Sequence, residues 1–253
     1  MKDKVPSSFS RRTVLFEAFR YSIPVLLGYV TIGVAFGLML TGEGHPWWLA
    51  LTMSLWMYAG AGQFIAAGLF AAGTTLWEVC LVQLVVNARH IAYGLSMLKR
   101  FRNFGPLKPY LIFSLTDETF ALLSSLPANG GPYADDGEVP EKKRRFFIFY
   151  VALLDQCYWV SGTVIGAIAG TLIPFDMKGI GFALTALFVV LMIEQIKRHC
   201  HPVKKPGLFI VSGAAALAGV FFVPASFSLL AALALALLFS PIVERNFTKG
   251  RAM

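Results

Sequence analysis

The stretch VCLVQLVVNARHIAYGLSML, residues 79–98, decides the fold class of this chain. It is long enough to cross the apolar core of a bilayer as a helix, yet it contains Asn87, Arg89 and His90. An arginine is costly to leave against lipid tails, so we expect Arg89 to face protein or water. The stretch therefore predicts a membrane protein with a polar interior, which is what a transport pathway requires.

The composition of the whole chain indicates the same class. Of its 253 residues, 57% are hydrophobic and only 14% are charged, whereas soluble domains average about 25% charged residues. Long apolar runs without the alternation of barrel strands predict an all-α, polytopic helical bundle. The net charge of +8 does not indicate nucleic acid, because the basic residues flank the apolar runs. The three cysteines lie far apart and predict no disulfide framework.

We predict about eight transmembrane segments. They lie near residues 21–41, 47–72, 77–97, 108–126, 146–172, 179–196, 208–223 and 226–243. The organisation that follows is a cytoplasmic or interfacial leader at 1–20, a first membrane half at 21–126, a polar cytoplasmic loop at 127–145, a second half at 146–243 and a cytoplasmic tail at 244–253. Similar glycine patterns in the two halves are consistent with two structural repeats, one or more of them with a broken helix, or with chance.

The distribution of Lys and Arg predicts that both termini lie in the cytoplasm. One loop breaks this pattern, because its basic residues fall outside in an eight-span arrangement: Lys99, Arg100, Arg102 and Lys108. Either the rule is overridden at this loop, or one of the first four segments does not fully cross. Segment 47–72, with its glycines, and segment 108–126, with its acidic residues, are the two candidates for incomplete crossing.

Four residues of the opening stretch share one helix face at spacings of four, three and four: Gln83, Asn87, His90 and Gly94. Arg89 lies about 100° from His90, at the edge of this stripe. An amide, an imidazole and a guanidinium together suit a carboxylate ligand, with arginine making the bidentate contact. The alternative is that Arg89 pairs with Asp117 or Glu118 only to hold helices together.

The second polar cluster is Thr116-Asp117-Glu118-Thr119-Phe120. Adjacent helix positions diverge, so Asp117 and Glu118 are not expected to share one pocket wall. One carboxyl would pair with Arg89 or His90, and the other would carry a proton, because low-dielectric surroundings favour a neutral carboxyl. The alternative is that both are solvated at the end of a helix.

Small residues mark three further places. Ala59-Gly60-Ala61-Gly62-Gln63-Phe64 predicts either close helix packing or a break that presents backbone groups, together with the Gln63 amide, to a substrate. The glycines expected to pack helices are Gly33, Gly37, Gly162 and Gly166. Asp155 lies near one end of its predicted span and is interpreted as solvated. We expect no metal site, because His199-Cys200-His201 are adjacent residues in a basic loop.

The order of these motifs resembles the AzlC family, which forms the large subunit of bacterial branched-chain amino acid exporters of the YgaZ type. The motifs cover residues 15–200 and are Gly28-Tyr29, Gly33 with Ala35-Phe36-Gly37, residues 59–64, residues 87–90 with Tyr93-Gly94, residues 116–118 with Phe120, Trp159 with Gly162 and Gly166, residues 182–188, and Glu194-Gln195. One departure is Gly181, where the family usually carries an aspartate. Any role of that aspartate is therefore in doubt for this chain.

The resemblance implies export of branched-chain or other hydrophobic amino acids across the bacterial cytoplasmic membrane, with a small AzlD-type membrane subunit as partner. The sequence has no P-loop pattern, so we expect no ATPase and no cofactor, and we favour secondary transport driven by protons. The residues expected to bind substrate are Gly60, Gln63, Phe64, Asn87, Arg89 and His90, those expected to couple ions are Asp117 and Glu118, and Phe36, Phe64 and Phe120 would form an apolar wall.

Other functions remain open from the residues alone. Arg89, His90, Asp117 and Glu118 carry groups suited to acid–base chemistry in an integral-membrane enzyme acting on a lipid-borne substrate. The chain has neither a His-Glu-x-x-His nor a Gly-x-Ser-x-Gly motif, so we predict no enzyme and no catalytic residues. A permease for a different small solute, a passive channel and a scaffolding subunit are the remaining alternatives.

Overall fold

A computed structural model describes residues 10–127 and 141–172, together with Val189, Ile193, Gly213, Ala214, Leu217 and Ala218. All regular structure in these residues is helical. Several predictions lie outside the described residues: the spans near 179–196, 208–223 and 226–243, the start of the leader, most of the loop at 127–145, the tail at 244–253, Gly181 and His199-Cys200-His201.

Seven α-helices make up the described chain: α1 (Arg11–Gly42), α2 (Trp47–Thr52), α3 (Gly60–Ala71), α4 (Leu76–Met97), α5 (Lys108–Phe113), α6 (Asp117–Ser125) and α7 (Glu141–Leu172). A π-helical turn (Met53–Met57) follows α2, and a 3₁₀ turn (Gly105–Leu107) precedes α5. Among the described helices, α1, α4 and α7 are long and apolar enough to cross a membrane. The predicted class, an all-α membrane protein, agrees with this finding.

The chain divides into two compact units. The first unit contains the described residues 10–63, 87–127 and 141–172. The second contains residues 64–86 together with Val189, Ile193, Gly213, Ala214, Leu217 and Ala218. Within the second unit, Thr75 and Glu78 form a capping box at the start of α4. The Thr75 amide donates to Glu78 Oε2 at 2.9 Å, and the Glu78 amide donates to Thr75 Oγ1 at 3.4 Å. This reciprocal pair satisfies amides that a helix start leaves unpaired.

In the first unit, α1 and α7 run parallel and pack along their lengths. Near their starts, Lys143 Nζ donates to Glu17 Oε1 at 3.0 Å, and the Tyr21 and Phe147 rings lie 5.6 Å apart. Towards their ends, the backbones touch at glycines on both helices: Gly33, Gly37, Gly162, Gly166 and Gly170. A Cβ atom added to Gly166 would lie 2.1 Å from a backbone oxygen of α1, so no larger residue fits without moving the helices.

The Lys and Arg side chains of the first unit, apart from Arg89, lie at one of its ends. Phe101 and Phe104, from the loop before α5, belong to the buried cluster that also contains Val14 of α1. Partial burial and the neighbouring Arg144 lower the pKa of Arg100. We call this the basic end, defined by Arg11, Arg12, Arg20, Lys99, Arg100, Arg102, Lys108, Lys142, Lys143, Arg144 and Arg145.

The loop before α5 lies at the same end of the first unit as the start of α1. Helix α1 starts at the basic end and leads away from it, whereas α4 finishes there. The Lys and Arg residues of the loop therefore lie together with those at the start of α1.

The prediction that segment 108–126 is a spanning segment is not confirmed, because the segment is divided into two short helices, α5 and α6. Thr116, at the break between α5 and α6, contacts Tyr29 in the middle of α1. Further along α6, the Leu122 carbonyl accepts a hydrogen bond from Tyr21 at 3.1 Å, closer to the start of α1. The segment enters from the basic end, turns at its break and returns. The physical cause lies in the sequence: Thr116 caps α6 through its hydroxyl, and the acidic residues after it suit a helix start.

Segment 47–72 is also a broken helix. The π-helical turn after α2 ends at Tyr58, which has a left-handed backbone with φ of +41°, and α3 starts at Gly60. A left-handed tyrosine is strained, and such strain concentrates at functional sites. Of the two interpretations of residues 59–64, the structure shows the broken helix, although the break falls just before the first glycine.

Candidate functional site

The two helix breaks lie next to each other, and both broken segments contact α7. The rings of Tyr58 and Phe113, one from each broken segment, lie 6.2 Å apart. Gln156 of α7 joins the two segments, because its Nε2 donates to the Leu55 carbonyl at 3.3 Å and its Oε1 accepts from Tyr110 at 2.8 Å. Broken helices free backbone groups for binding at the centre of a membrane protein. The candidate site is therefore the region around these breaks and the first turn of α6.

The first turn of α6 directs three consecutive side chains at three different helices. Asp117 contacts α4, Glu118 contacts α1, and Thr119 contacts α7. Successive residues of a helix are rotated by about 100°, so this spread follows from helix geometry alone. The two carboxylates occupy different surroundings and can have different functions.

Asp117 forms an ion pair with α4. Its Oδ2 lies 2.7 Å from Arg89 Nη1, and its Oδ1 accepts from the Tyr93 hydroxyl at 2.7 Å. The Tyr93 ring stacks on Phe120 with the ring centres 4.4 Å apart. The side chains of Arg89 and Asp117 retain 34% and 22% of their exposure. The pair is thus accessible to a solute, although at present each charge is bound to the other.

Glu118 belongs to a second, more deeply buried chain of contacts. Tyr29 donates to Glu118 Oε2 at 2.8 Å and also contacts the Thr116 hydroxyl. Thr116 Oγ1 donates to Thr119 Oγ1 at 3.1 Å, and Thr119 donates to Asp155 Oδ2 at 2.8 Å. Asp155 is fully buried. The interpretation of Asp155 as solvated is therefore wrong, because α7 starts at Glu141 and places Asp155 well inside the unit.

Gln63 is buried in a third polar group. Its Nε2 donates to Ser54 Oγ at 3.2 Å, and its Oε1 accepts from Trp159 Nε1 at 2.8 Å. Ser54 in turn contacts the Thr163 hydroxyl at 2.8 Å. A Cβ on Gly60 would lie 3.1 Å from the Trp159 ring. Both ends of the Gln63 amide are thus engaged by the protein, and this group joins the first broken helix to α7.

The remaining predicted residues divide into two sets. Asn87 and His90 are partly buried in the same part of α4 as Arg89, and the His90 ring lies 5.9 Å from that of Tyr93. Phe36 is fully buried against Trp159 and does not line an open wall. Phe64 lies in the second unit. The structure therefore brings together Asn87, Arg89, His90, Asp117, Glu118 and Phe120, but not Gly60, Gln63 or Phe36 with them.

Several residues of the site were not predicted for it, among them Tyr29, Tyr93, Thr119 and Asp155. Tyr29 and Tyr93 stand inside the quoted motifs but without an assigned role. Thr119 follows the acidic pair by one residue, and a hydroxyl next to two buried carboxyls is a weak sign of a hydrogen-bond chain. Asp155 is an acid within an apolar run, which is by itself a sign of function.

The Gln63 group leads to a prediction about stability. Within the described part of the chain, Trp159 is the one donor to Gln63 Oε1. Replacing it with phenylalanine leaves a buried amide oxygen unpaired, which costs about 1–3 kcal/mol. We expect a lower melting temperature for purified protein in detergent. The matched control is Trp56→Phe, because the Trp56 side chain is 80% exposed. Equal melting temperatures for the two variants would contradict the structural role of the Trp159–Gln63 bond.

Comparison with known proteins identifies a family. A family model described as AzlC protein matches residues 24–173, which include every residue of the site described above. The Bacillus subtilis protein named branched-chain amino acid transport protein AzlC is 33% identical over 238 residues, which are 90% of this chain and 89% of that protein.

Two further relatives are named only as membrane proteins. An uncharacterized membrane protein of Helicobacter pylori is 45% identical over 182 residues, 72% of this chain and 75% of that protein. The inner membrane protein YgaZ of Escherichia coli is 29% identical over 205 residues, 78% of this chain and 80% of that protein. No solved structure shows a significant match.

Proposed function

Since the chain belongs to the AzlC family, we propose that it exports branched-chain and related hydrophobic amino acids as the large subunit of a two-component secondary transporter. Membership confirms the resemblance recognised in the motifs. The Bacillus subtilis relative is named a transport protein, which favours a transporter over an enzyme.

One observation carries the proposal: an accessible ion pair lies beside two broken helices. A zwitterionic amino acid needs a cation for its carboxylate and an anion for its ammonium group. Arg89 and Asp117 supply these charges 2.7 Å apart. Arginine binds a carboxylate through two parallel hydrogen bonds, so it is the natural partner for that end of the substrate.

Binding on this scheme opens the existing ion pair. The substrate carboxylate takes the place of Asp117 at Arg89, and the ammonium group takes the place of Arg89 at Asp117. Neither charge is left uncompensated, so the exchange avoids the penalty of a lone charge at membrane depth. Tyr93 and Phe120, stacked beside Asp117, present aromatic surface to the aliphatic side chain.

We assign the basic end to the cytoplasm. All Lys and Arg residues of the described chain except Arg89 lie there, and the positive-inside rule places such an end on the cytoplasmic side. The N-terminus and the start of α7 are then cytoplasmic, as is the loop before α5. The membrane is the bacterial cytoplasmic membrane, with Ile91 and Leu95 of α4 exposed as apolar side chains suited to lipid.

The proposal includes an AzlD-type small membrane subunit and energy from the proton gradient. The sequence has no P-loop pattern of its own, which favours an ion gradient as the energy source. Two separate sets of ionisable groups, an accessible one around Asp117 and a buried one around Asp155, give the transporter a substrate site and a candidate ion site.

Efflux from cells tests the proposal. Cells expressing the chain with its small subunit, preloaded with radiolabelled leucine, valine or methionine, should lose label faster than empty-vector cells. Arg89→Ala should abolish this increase in efflux, because it removes the cation that binds the substrate carboxylate. Arg145→Ala is the matched control: Arg145 forms an ion pair with Glu141 at 2.9 Å, but at the basic end and away from the site. No efflux despite verified assembly of both subunits would contradict the proposal.

A further inference from the structure

The hydrogen-bond chain between Glu118 and Asp155 has one hydrogen too few. Its four successive contacts join Glu118 to Tyr29, Tyr29 to Thr116, Thr116 to Thr119, and Thr119 to Asp155. Each contact needs one hydrogen between two oxygens. The three hydroxyl groups of the chain carry one hydrogen each, so one contact stays empty if both carboxyls are ionised.

One additional proton, on either carboxyl, fills all four contacts. With the proton on Asp155, every hydroxyl donates towards Glu118. With the proton on Glu118, every hydroxyl donates towards Asp155. We infer that Glu118 and Asp155 share one proton through this hydroxyl relay, and that this proton is the ion exchanged for the amino acid. The inference rests on the proposed transport function and names its coupling site.

The surroundings of Asp155 support this assignment independently. Asp155 is fully buried, and its Oδ1 has no hydrogen-bond partner within the described chain. None of the ion pairs formed by the described residues involves Asp155. A buried carboxylate without a cation is strongly destabilised, whereas a protonated carboxyl leaves only a carbonyl oxygen unpaired. The arrangement therefore favours a neutral Asp155.

Among the described residues, the groups that face Asp155 include no cation. Near Asp155 they are uncharged phenols and one carboxyl: Tyr58 from the first broken helix, Tyr110 from α5, Tyr158 from α7 and Glu118 from α6. Near Glu118 they include Tyr29, Tyr93, Asp117 and Arg89. Arg89 is the one cation among these groups, and Asp117 binds it.

The two ends of the relay differ in access. Glu118 is partly exposed, whereas Tyr29, Thr116, Thr119 and Asp155 are buried. A proton can thus arrive at Glu118 and reach Asp155 without a water path. In the transfer, the Glu118 O–H bond breaks and an O–H bond forms on Asp155. Each hydroxyl gives its hydrogen to the next oxygen and receives one from the previous oxygen, so no hydroxyl gains or loses charge.

The relay connects the coupling proton to the substrate site through α6. Glu118 follows Asp117 directly, and both stand in the helix turn that starts at the break. A change in the partner of Asp117 therefore acts on the same turn that holds Glu118 and Thr119. Binding of an amino acid at Arg89 and Asp117 would alter the contacts on which the relay depends.

The test uses the chain with its small subunit in proteoliposomes. Two quantities are measured: accumulation of radiolabelled leucine driven by a pH gradient, and exchange of leucine at equal pH. Asp155→Asn should abolish gradient-driven accumulation and leave exchange within about twofold of the wild type. In Asp155→Asn, the label should show leucine movement while a pH-sensitive dye shows no accompanying proton movement. Removing a positioned proton-transfer group typically slows that step about 100-fold or more.

Threonine variants test the relay itself. Thr119→Val removes the hydroxyl at nearly constant shape and should also abolish gradient-driven accumulation, whereas Thr119→Ser should retain it. Thr31→Val is the matched control, because Thr31 donates only to the Leu27 carbonyl of its own helix. If Asp155→Asn does not fold, the Thr119 pair alone decides between the outcomes.

The possible failures are distinguishable. Gradient-driven accumulation in Asp155→Asn, or in Thr119→Val at the level of Thr119→Ser, would overturn the relay and leave the proposed transport intact. If the wild-type complex showed no exchange and no accumulation of leucine, the proposed function would be overturned, and the relay with it.

Discussion

Replacing Gly166 with alanine is expected to prevent stable assembly of α1 against α7, whereas the same replacement at Gly28 should be harmless. A Cβ on Gly166 would lie 2.1 Å from the Val34 carbonyl oxygen, far inside van der Waals contact. Because this oxygen belongs to the backbone, relief requires the two helices to separate. Overpacking of this kind costs at least about 1–3 kcal/mol. The melting temperature and the yield of monodisperse protein in detergent measure the effect.

Gly28 provides the control within the same helix pair. It lies in α1, and no atom lies within 4 Å of the Cβ that alanine would add. Alanine is favoured over glycine in a helix by about 0.5–1 kcal/mol, so Gly28→Ala should raise the melting temperature slightly. The two variants therefore change stability in opposite directions. A stable Gly166→Ala protein with an unchanged melting temperature would show that the α1–α7 contact is looser than the structure indicates.

The helix contacts illustrate what a sequence can and cannot predict. Glycines at positions 33 and 37, and at 162 and 166, recur at a spacing of four, so each pair lies on one helix face. Because small residues allow helices to approach closely, the sequence predicts that both faces pack. It does not predict that they pack against each other and in parallel, because that depends on which helices become neighbours.

The two broken segments show how local signals differ in strength. The run of glycines at 59–62 predicts a weak helix, but the left-handed residue is Tyr58, which has no intrinsic preference for that conformation. Tertiary contacts with Phe113 hold it there. At the second break the signal was present: a threonine followed by two acidic residues is a common helix start. In an apolar segment long enough to span, that start could have been recognised as an interruption.

The candidate site was predictable only in part. An arginine and two acids in apolar segments had to find partners, and pairing of Arg89 with Asp117 was one of the alternatives. The rotation of the first turn of α6 decides whether Asp117 or Glu118 pairs with Arg89. No sequence pattern determines that rotation. Asp155 was missed because its helix starts earlier than its apolar run. The hydroxyl relay was missed because Tyr29, Thr119 and Asp155 come from three distant parts of the chain.

These differences concern the same physical question, namely where each buried charge is compensated. Arg89 and Asp117 compensate each other. Glu118 and Asp155 have no further cation near them in the described chain, so a proton has to compensate their charge. Two compensated sets with different solutions, one by ion pairing and one by protonation, allow a solute and a proton to bind separately. A transporter that exchanges a solute for a proton requires this separation. A single shared charged group would be neutralised by the solute alone or by the proton alone.

Exchanging the charges of Arg89 and Asp117 should restore folding without restoring transport. Each single variant, Arg89→Asp or Asp117→Arg, places like charges side by side and should fail to transport. Loss of a hydrogen bond between charged groups costs about 1.5–3 kcal/mol, and the partial exposure of this pair places the cost towards the lower value. The double variant regains an ion pair between α4 and α6, so its melting temperature should return close to that of the wild type.

Transport should nevertheless remain low in the double variant, because an amino acid is not symmetric. With the charges exchanged, the substrate carboxylate would bind at α6 and its ammonium group at α4. Its side chain would then point away from the aromatic surface of Tyr93 and Phe120. The matched control exchanges Arg145 and Glu141, an exposed pair within α7 whose loss should leave transport unchanged, because solvent screens exposed ion pairs. Recovery of leucine efflux in the Arg89–Asp117 double variant would instead show that the pair only holds two helices together, and the substrate carboxylate would then have to bind elsewhere.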